Sequence, residues 1–319
     1  MSSHSPTAVA LLALMKLQGV GRRKALQVAG TLNPSATWSD YLESVLERAQ
    51  RERLPASELR TAWSKAEEQL EKSADAGIAA YSIHDEGYPT QLKTIPDPPA
   101  VLYVKGDAGA LRTGRSVAVV GTREPTPYGQ EVARRAGRTA AEHGLVVVSG
   151  LAHGCDTLAH EGCLEARGVG VAVLAHGLEK VYPAANRSLA ARLLEFQGCL
   201  VSEYPIGMAP MRTAFAERDR IQSGLAGAVF VIETDVKGGT MHTVRFAGDQ
   251  RRPLACVDHP LKWREEDKTK GNQQLIRERK AAPIADGSAL ISFLDKIGAE
   301  GASSQPASTP LALQTGFAF

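Results

Sequence analysis

The sequence has few cysteines and almost no net charge, and these shortages exclude several classes of protein. Its four cysteines lie far apart and form no CxxC pair, so they predict neither a zinc site nor a disulfide framework. We therefore predict free thiols, no metal and a cytoplasmic location. The formal net charge of the 319 residues is only +2. That value does not indicate a nucleic-acid-binding protein, although clustered basic residues could still form a binding surface.

Long apolar runs are also missing. No segment approaches 18 uninterrupted apolar residues, and the N-terminus has no basic stretch followed by an apolar one. We expect neither membrane insertion nor secretion. Hydrophobic residues make up 43% of the chain and charged residues 23%, which is the composition of a globular protein with a sizeable core.

The chain divides into three zones that differ in their sequence pattern. Residues 1–75 have a helical pattern without strand-like alternation, which predicts a small all-α domain. Residues 76–297 alternate short β-branched runs with helical stretches. Residues 298–319 begin with a Gly/Ala/Ser/Pro-rich stretch typical of a flexible linker and end in an apolar segment. That segment could dock on this protein or a partner, or could be a frayed terminus.

The middle zone predicts an α/β fold with a mostly parallel sheet. Most of its apolar runs are nearly continuous, as in strands buried on both faces. Helical stretches separate many of them, which indicates βαβ units with right-handed crossovers, helices on both faces and an extended Rossmann-like layout. The predicted strands are residues 79–83, 101–104, 116–120, 145–149, 170–174, 199–202, 228–233, 253–257 and 282–285.

In an open parallel sheet, ligands bind beyond the carboxyl ends of the strands, so the loops that follow the strands are the candidate sites. The first is Gly121, Thr122 and Arg123. Gly121 permits a sharp turn, the next helix offers N–H groups to an anion, and the Arg123 guanidinium suits a phosphate. The alternative is a solvated arginine on a tight turn.

The second loop contains Ser149, Gly150 and His153, whose N–H and hydroxyl groups could hold a phosphate. Asp156 at its end is explained equally well as a helix cap. No nucleophile with an orienting partner accompanies His153, so we do not predict a general base there.

The third loop combines Lys180, Asn186 and Arg187 with the ring of Tyr182. Nucleic-acid sites use this mixture, in which cations meet phosphates and flat groups meet bases. A purely structural turn is an equal alternative.

Two further segments complete the set. Arg218 and Arg220 flank an acidic residue, with which one of them could simply pair. Lys237, Gly238, Gly239 and Thr240 open a helix in the manner of a phosphate cradle.

The glycine-rich loops do not match the common nucleotide-binding motifs. The GxxxxGK[ST] order is absent, and no GxGxxG follows the first strand, so neither a Walker A loop nor NAD binding is predicted. The candidate loops meet at one sheet edge without a catalytic constellation. The sequence therefore predicts anion binding, no cofactor and no enzymatic activity.

At these loops the chain resembles the DprA/Smf family of DNA-processing proteins. The matching stretches run in order across about residues 80–290: GYP (87–89), PPAVLYVKG (98–106), VAVVGTR (117–123), VVSGLAHGCD (147–156), VYP (181–183), SEYP (202–205), RDRI (218–221) and GT (239–240) followed by Thr243.

The resemblance implies an extended Rossmann domain that binds single-stranded DNA, often as a homodimer, and delivers it to a RecA-type recombinase. It implies that Arg123 and Lys180 contact phosphates, and that Asn186 and Arg220 build the pocket.

The chain departs from the family pattern in several places. The family usually has Gly-Ser-Arg where this chain has Thr122 in the middle, and Arg-Asn-Arg where this chain has Asp219. It usually has Pro-Gly where this chain has 258–260. The new negative charge of Asp219 would weaken phosphate binding. Many members also carry a C-terminal winged-helix domain, for which we expect this chain to be too short. These departures indicate a divergent member, whose role could have shifted from natural transformation or recombination toward phage defence or partner regulation.

A second candidate DNA site lies near the N-terminus. Gly19, Gly21, Arg22, Arg23 and Lys24 resemble a helix-hairpin-helix, whose glycine N–H groups and cations can hold a DNA backbone. A compact helical turn, in a domain that serves mainly for dimerisation, is an equal alternative.

Two other functions stay open at the level of sequence. Glu233 and the Gly-Gly-Thr loop are compatible with a nucleotide-binding or nucleotide-hydrolysing enzyme. Asp219 and the apolar C-terminal segment are compatible with a regulatory module, such as an antitoxin, that acts through a protein partner.

Overall fold

The structure, a computed structural model, describes residues 5–30 and 38–302. Its β-strands in these ranges are β1 (Ile78–Ser82), β2 (Val101–Gly106), β3 (Ser116–Val120), β4 (Val146–Ser149), β5 (Gly170–Val173), β6 (Cys199–Ser202), β7 (Ala228–Val231), β8 (Leu254–Val257) and β9 (Ala282–Ile284). Each predicted strand is confirmed, with ends within two residues of the prediction.

The α-helices of the same ranges precede, separate and follow these strands. They are α1 (Pro6–Met15), α2 (Arg22–Ala29), α3 (Trp38–Arg51), α4 (Ala56–Asp75), α5 (Thr90–Lys93), α6 (Pro127–Glu142), α7 (Cys155–Glu165), α8 (Arg187–Glu195), α9 (Arg212–Leu225), α10 (Thr240–Asp249), α11 (Lys270–Arg277) and α12 (Gly287–Ala302). Helix α12 continues through Ala302, so the prediction that a flexible linker begins at residue 298 is wrong. The rest of the predicted tail, 303–319, lies outside the described residues.

All strands join one mixed sheet in the order β1-β2-β6-β5-β4-β3-β7-β8-β9. The pairs from β6 to β9 are parallel, whereas β1 and β2 form an antiparallel extension at one edge. Every residue of β3 and β4 is buried, which is expected for parallel strands covered by helices on both faces. The predicted α/β, Rossmann-like fold with a mostly parallel sheet is therefore confirmed.

The N-terminal helices pack against the antiparallel extension. Residues 7–14 of α1 are all buried, and Leu11 and Leu14 belong to one apolar cluster with Val101 and Tyr103 of β2. Gln69 of α4 donates a hydrogen bond to Tyr103 Oη at 2.8 Å. Burial of this apolar surface is the main free energy that holds the helices on the sheet.

Four charged side chains join helix α2 to the sheet region. Arg22 pairs with Asp97 and, at 2.5 Å, with Glu203. Arg220 of α9 pairs with the same two acids, at 2.6 Å to Glu203 and 3.3 Å to Asp97. Only 4% of the Arg220 side chain is exposed. Each arginine therefore lies between two carboxylates, and each carboxylate between two arginines.

We predict that Arg220→Ala lowers the free energy of unfolding by about 3 kcal/mol, because it removes a buried guanidinium and leaves the mostly buried Glu203 carboxylate with Arg22 as its remaining partner. Arg22→Ala should cost less, since the Arg22 side chain is 25% exposed. Urea unfolding followed by circular dichroism measures both.

Arg23→Ala provides the matched control for the unfolding experiment. This neighbouring arginine is exposed, and its removal should change stability by no more than about 0.5 kcal/mol. Equal stability of the Arg220 and Arg23 variants would contradict the assigned role of the network.

Candidate functional site

Loops from several strands meet where the strand order of the sheet reverses. Strand β3 lies between β4 and β7, and the chain continues through β4–β6 on one side and β7–β9 on the other. Such a switch point leaves a crevice beyond the carboxyl ends of the strands. The loops after β3 and β7 line one cleft there.

The loop that carries Arg123 is fixed at both ends by Glu233. The backbone N–H of Thr122 donates to the Glu233 carbonyl at 2.8 Å. The Glu233 carboxylate accepts from Thr126 N at 2.8 Å and from Thr126 Oγ1 at 2.6 Å. Glu233 is fully buried, while Arg123 between these anchors is exposed. The loop thus presents its guanidinium on a firmly held backbone.

Small residues allow this loop to contact the loop after β4. A Cβ on Gly121 would lie 2.5 Å from Cys155 Sγ, and a Cβ on Gly154 would lie 2.5 Å from the Arg123 carbonyl oxygen. Gly154 also has a φ of +79°, in the region that favours glycine. Close packing therefore requires both glycines, and backbone conformation also requires Gly154.

The first part of the site, the Arg123 cleft, encloses about 1170 Å³ of empty space, some of it open to solvent. It is bounded by the loop 121–124, by one face of α9 and by the start of α10. Its charged lining residues among those described are three arginines and four acids: Arg123, Arg212, Arg218, Glu124, Asp156, Asp219 and Asp235. The cleft is therefore polar, with both charge signs.

Two carboxylates and one guanidinium form the floor of the cleft. The Arg218 side chain is 8% exposed, and its Nε lies 3.0 Å from Asp219 Oδ1 while its Nη2 lies 3.9 Å from Asp156 Oδ2. Arg218 Nη1 donates to the Val173 carbonyl at 2.8 Å. Burial raises the pKa of Asp219 to about 7, against the opposing effect of Arg218 and with a contribution from Asp156. Burial also raises the pKa of Asp156, and Arg218 again opposes the shift.

An apolar slot adjoins the Arg123 cleft. It holds about 460 Å³ of empty space, and Arg123, Ala152, Phe215 and Arg218 border both spaces. The Arg123 guanidinium lies 5.4 Å from the centre of the Phe215 ring, within cation–π range. The Tyr182 ring lies 6.0 Å from that of Phe215 and is 50% exposed. The aromatic slot thus has two rings beside an exposed cation.

Beyond Tyr182 lies a third space, the Lys180 pocket, with about 1070 Å³ of empty volume. Lys180 and Arg187 line it and are exposed, and Tyr182 borders it as well as the aromatic slot. Arg123 and Lys180 therefore do not share one pocket. They lie in successive parts of one groove, on either side of the aromatic slot.

The structure brings many of the predicted residues to this groove. Those that line it are Gly121, Thr122, Arg123, His153, Lys180, Arg187, Arg218, Gly238, Gly239 and Thr240. Lys237 is exposed beside the cleft, with its backbone N–H bonded to Asp235.

Other predicted residues are used inside the protein. Ser149 is fully buried and donates to the Val119 carbonyl at 2.7 Å. Gly150 is buried against the Arg218 guanidinium. The Asn186 amide donates to the Leu151 carbonyl and to Thr157 Oγ1, both at 2.8 Å, and so ties the third loop to the second. We predicted from the sequence that Ser149, Gly150 and Asn186 contact a ligand at the surface. Their burial and internal contacts correct that prediction.

Arg220 also requires correction as a direct contact. It lies in the network with Arg22, Asp97 and Glu203, and each of its three guanidinium nitrogens donates a hydrogen bond to one of those acids or to the Glu217 carbonyl. The family resemblance implied that Asn186 and Arg220 build the pocket. Their internal hydrogen bonds agree better with that role than with direct contact to a ligand.

Sequence reasoning did not assign roles to Arg212 and Phe215. Arg212, Phe215 and Arg218 follow one another at a spacing of three on α9, so they share one helix face. That spacing was visible in the sequence and could have identified both as lining residues.

The second candidate DNA site is only partly exposed. Gly19 has a φ of +76°, as a hairpin turn requires. Arg22 belongs to the ion-pair network, and Lys24 pairs with Glu52 at 2.6 Å, whereas Arg23 is exposed. Binding of DNA at this turn stays a prediction.

In 5–30 and 38–302, no group of three or more His, Cys, Asp or Glu side chains is placed to hold a metal ion. No helix of that part of the chain is long and apolar enough to cross a membrane.

The chain is similar in sequence to DprA and Smf proteins of several bacteria. The chain is 36% identical to DNA processing protein DprA of Bacillus subtilis over 221 residues, which cover 68% of this chain and 74% of that protein. It is 40% identical to protein Smf of Escherichia coli over 176 residues, which cover 55% of this chain and 47% of that protein. The chain thus spans about half the length of the latter.

Solved structures support the same relationship. The X-ray structure of DprA from Streptococcus pneumoniae has a TM-score of 0.69 at 25% identity, covering 90% of this chain and 95% of that one. DNA processing protein A from Helicobacter pylori, described for its single-stranded DNA binding mode, has a TM-score of 0.60 at 27% identity, covering 69% and 100%. Residues 79–295 match the family described as DNA recombination-mediator protein A. The chain therefore belongs to this family of DprA/Smf DNA-processing proteins.

Proposed function

We propose that the protein binds single-stranded DNA along the groove formed by the Arg123 cleft, the aromatic slot and the Lys180 pocket. The observation that carries the proposal is the order of these three spaces, with exposed cations on both sides of two aromatic rings. Phosphates of one strand would meet Arg123 at one end and Lys180 and Arg187 at the other. Bases between them would stack on Tyr182 and Phe215, a sequence-tolerant contact.

The proposal extends to the cellular role. As a DNA-processing protein, the chain would hand the bound strand to a RecA-type recombinase in the cytoplasm, acting as a homodimer. The family description as a recombination mediator supports this extension, and so does the single-stranded DNA binding mode described for the Helicobacter pylori relative.

A binding role without catalysis fits the position of Glu233. As a catalytic acid or base for nucleotide hydrolysis, its carboxylate would have to reach a ligand. It is fully buried, and both of its oxygens accept hydrogen bonds from Thr126. This arrangement counts against the hydrolase alternative and supports a positioning role for Glu233.

We predict that Arg123→Ala and Lys180→Ala each weaken the binding of oligo-dT by about tenfold, because each removes one charge-assisted phosphate contact. Fluorescence anisotropy at several salt concentrations measures the affinity. The slope of log affinity against log salt should become shallower by about 0.7 in each variant.

Arg135→Ala is the matched control for this titration. Arg135 lies on α6, is exposed and pairs with Glu131 at 2.8 Å, away from the groove. Its removal should leave both the affinity and the salt slope unchanged. Equal losses in the Arg135 and Arg123 variants would show non-specific attraction and contradict the proposed path.

We predict that Tyr182→Ala weakens binding of oligo-dT by about tenfold, because stacking of one base on an aromatic ring contributes about 1–3 kcal/mol. Tyr182→Phe keeps the ring and should bind like the native protein. With a strand that lacks bases throughout, all three proteins should bind alike. A loss in Tyr182→Ala that persists on the abasic strand would contradict stacking in the slot.

A further inference from the structure

The floor of the Arg123 cleft has more negative than positive charge. Asp156 of α7 and Asp219 of α9 lie against the single buried guanidinium of Arg218. The side chains of Asp156 and Arg218 are each 8% exposed and that of Asp219 is 12% exposed. Water therefore screens this excess charge poorly, and a phosphate that enters the cleft meets it directly.

Two of the three Arg218 guanidinium nitrogens face groups inside the protein. Arg218 Nη1 donates to the Val173 carbonyl, and its Nε faces Asp219 at 3.0 Å. The Gln222 amide completes the floor: its oxygen lies 2.8 Å from Arg218 Nη1 and its nitrogen 3.1 Å from Asp219 Oδ1. The cation at the floor therefore mainly neutralises the carboxylates beside it.

The groups that face Asp219 come from every element around it. Arg218 and Gln222 belong to its own helix, Asp156 to α7, Thr243 to α10 and Arg123 to the loop after β3. The remaining charged or titratable lining residues lie farther along the cleft: Glu124, Arg212, Asp235 and His242. With every acid ionised, four carboxylates oppose three arginines, and one proton on the floor would balance the charge.

We propose that Asp219 couples the binding of single-stranded DNA to the uptake of one proton, so that the strand binds to the form of the protein in which this carboxyl group is neutral. The inference rests on the proposed function and adds its regulation. The O–H of a neutral Asp219 carboxyl can donate a hydrogen bond to a phosphate oxygen or to the Asp156 carboxylate and keeps its proton, whereas the ionised form repels the phosphate.

The DNA strand itself cannot supply this proton. Each internal phosphodiester of a strand carries a single fixed negative charge between pH 6 and 8. Burial raises the pKa of Asp219 to about 7, so the free protein has this group mostly ionised at pH 8 and mostly neutral at pH 6. The proton is therefore taken from solvent by the protein when the strand binds at pH 8.

The test is a titration of 5′-hydroxyl oligo-dT at constant ionic strength, at pH 6, 7 and 8, with native protein and Asp219→Asn. If only the neutral form binds, native affinity should rise about tenfold from pH 8 to pH 6. Asp219→Asn is nearly isosteric and permanently neutral, so it should bind at pH 8 about as tightly as the native protein binds at pH 6. Any pH dependence that remains in the variant measures groups other than Asp219.

Calorimetry in buffers of different ionisation enthalpy counts the protons directly. At pH 8 the native protein should take up close to one proton per bound strand, and Asp219→Asn close to none. Glu217→Gln is the matched control, because it removes an exposed carboxylate from the same helix that bonds to Tyr204 outside the cleft. It should keep the native pH profile.

The possible results separate this inference from the proposed function. Strand binding with the same pH profile in native protein and Asp219→Asn would overturn the proton coupling and leave the DNA-binding function intact. Absence of oligo-dT binding at every pH in both proteins would overturn the function, and the coupling with it.

Discussion

The hydrogen bonds between Glu233 and Thr126 determine where the candidate site can form. They join the end of β7 to the start of α6, across the point where the strand order of the sheet reverses. The Glu233 carbonyl also holds Thr122, so one residue fixes both ends of the loop that presents Arg123. A buried carboxylate is stable only when its acceptors are satisfied, and here the loop itself satisfies them. The shape of the loop and the burial of Glu233 therefore depend on each other.

Helix α9 connects this site to the N-terminal helices. Arg218 and Asp219 pair with each other at the cleft floor, whereas the next residue, Arg220, pairs with acids that also bind Arg22 of α2. The same helix therefore carries one ion pair of the cleft and one arginine of the network. A rotation of α9 would disturb the cleft and the ion-pair network together.

Much of the fold could be predicted from the sequence because its parallel strands are short, continuous apolar runs, such as 116–120 and 146–149. Burial on both faces imposes that pattern, and the short length and valine-rich composition of these runs distinguish them from buried helices. The end of α12 could not be located, because residues 298–302 have the Gly/Ala composition of a linker and yet continue the helix. The boundary predicted at residue 75 stays a prediction, and α1 shares an apolar cluster with β2 across it.

The site was predictable in position and less so in the roles of its residues. The carboxyl ends of the strands indicated which loops to consider, and Arg123, Lys180 and the 238–240 segment do line the groove. Residue type alone could not show that the side chains of Ser149, Asn186 and Arg220 form hydrogen bonds inside the protein, because their partners are distant in sequence. Nor could it show that Arg123 and Lys180 lie on opposite sides of Tyr182, because that order depends on three-dimensional packing.

Hydrogen–deuterium exchange with and without oligo-dT would test the central claim most directly, since it reports where the strand lies without altering any residue. The account predicts slower exchange in 121–124, 150–154, 180–187 and 211–216, with little change in α1–α4. Protection confined to residues 19–24 of the N-terminal turn, with none around Arg123 and Lys180, would contradict it.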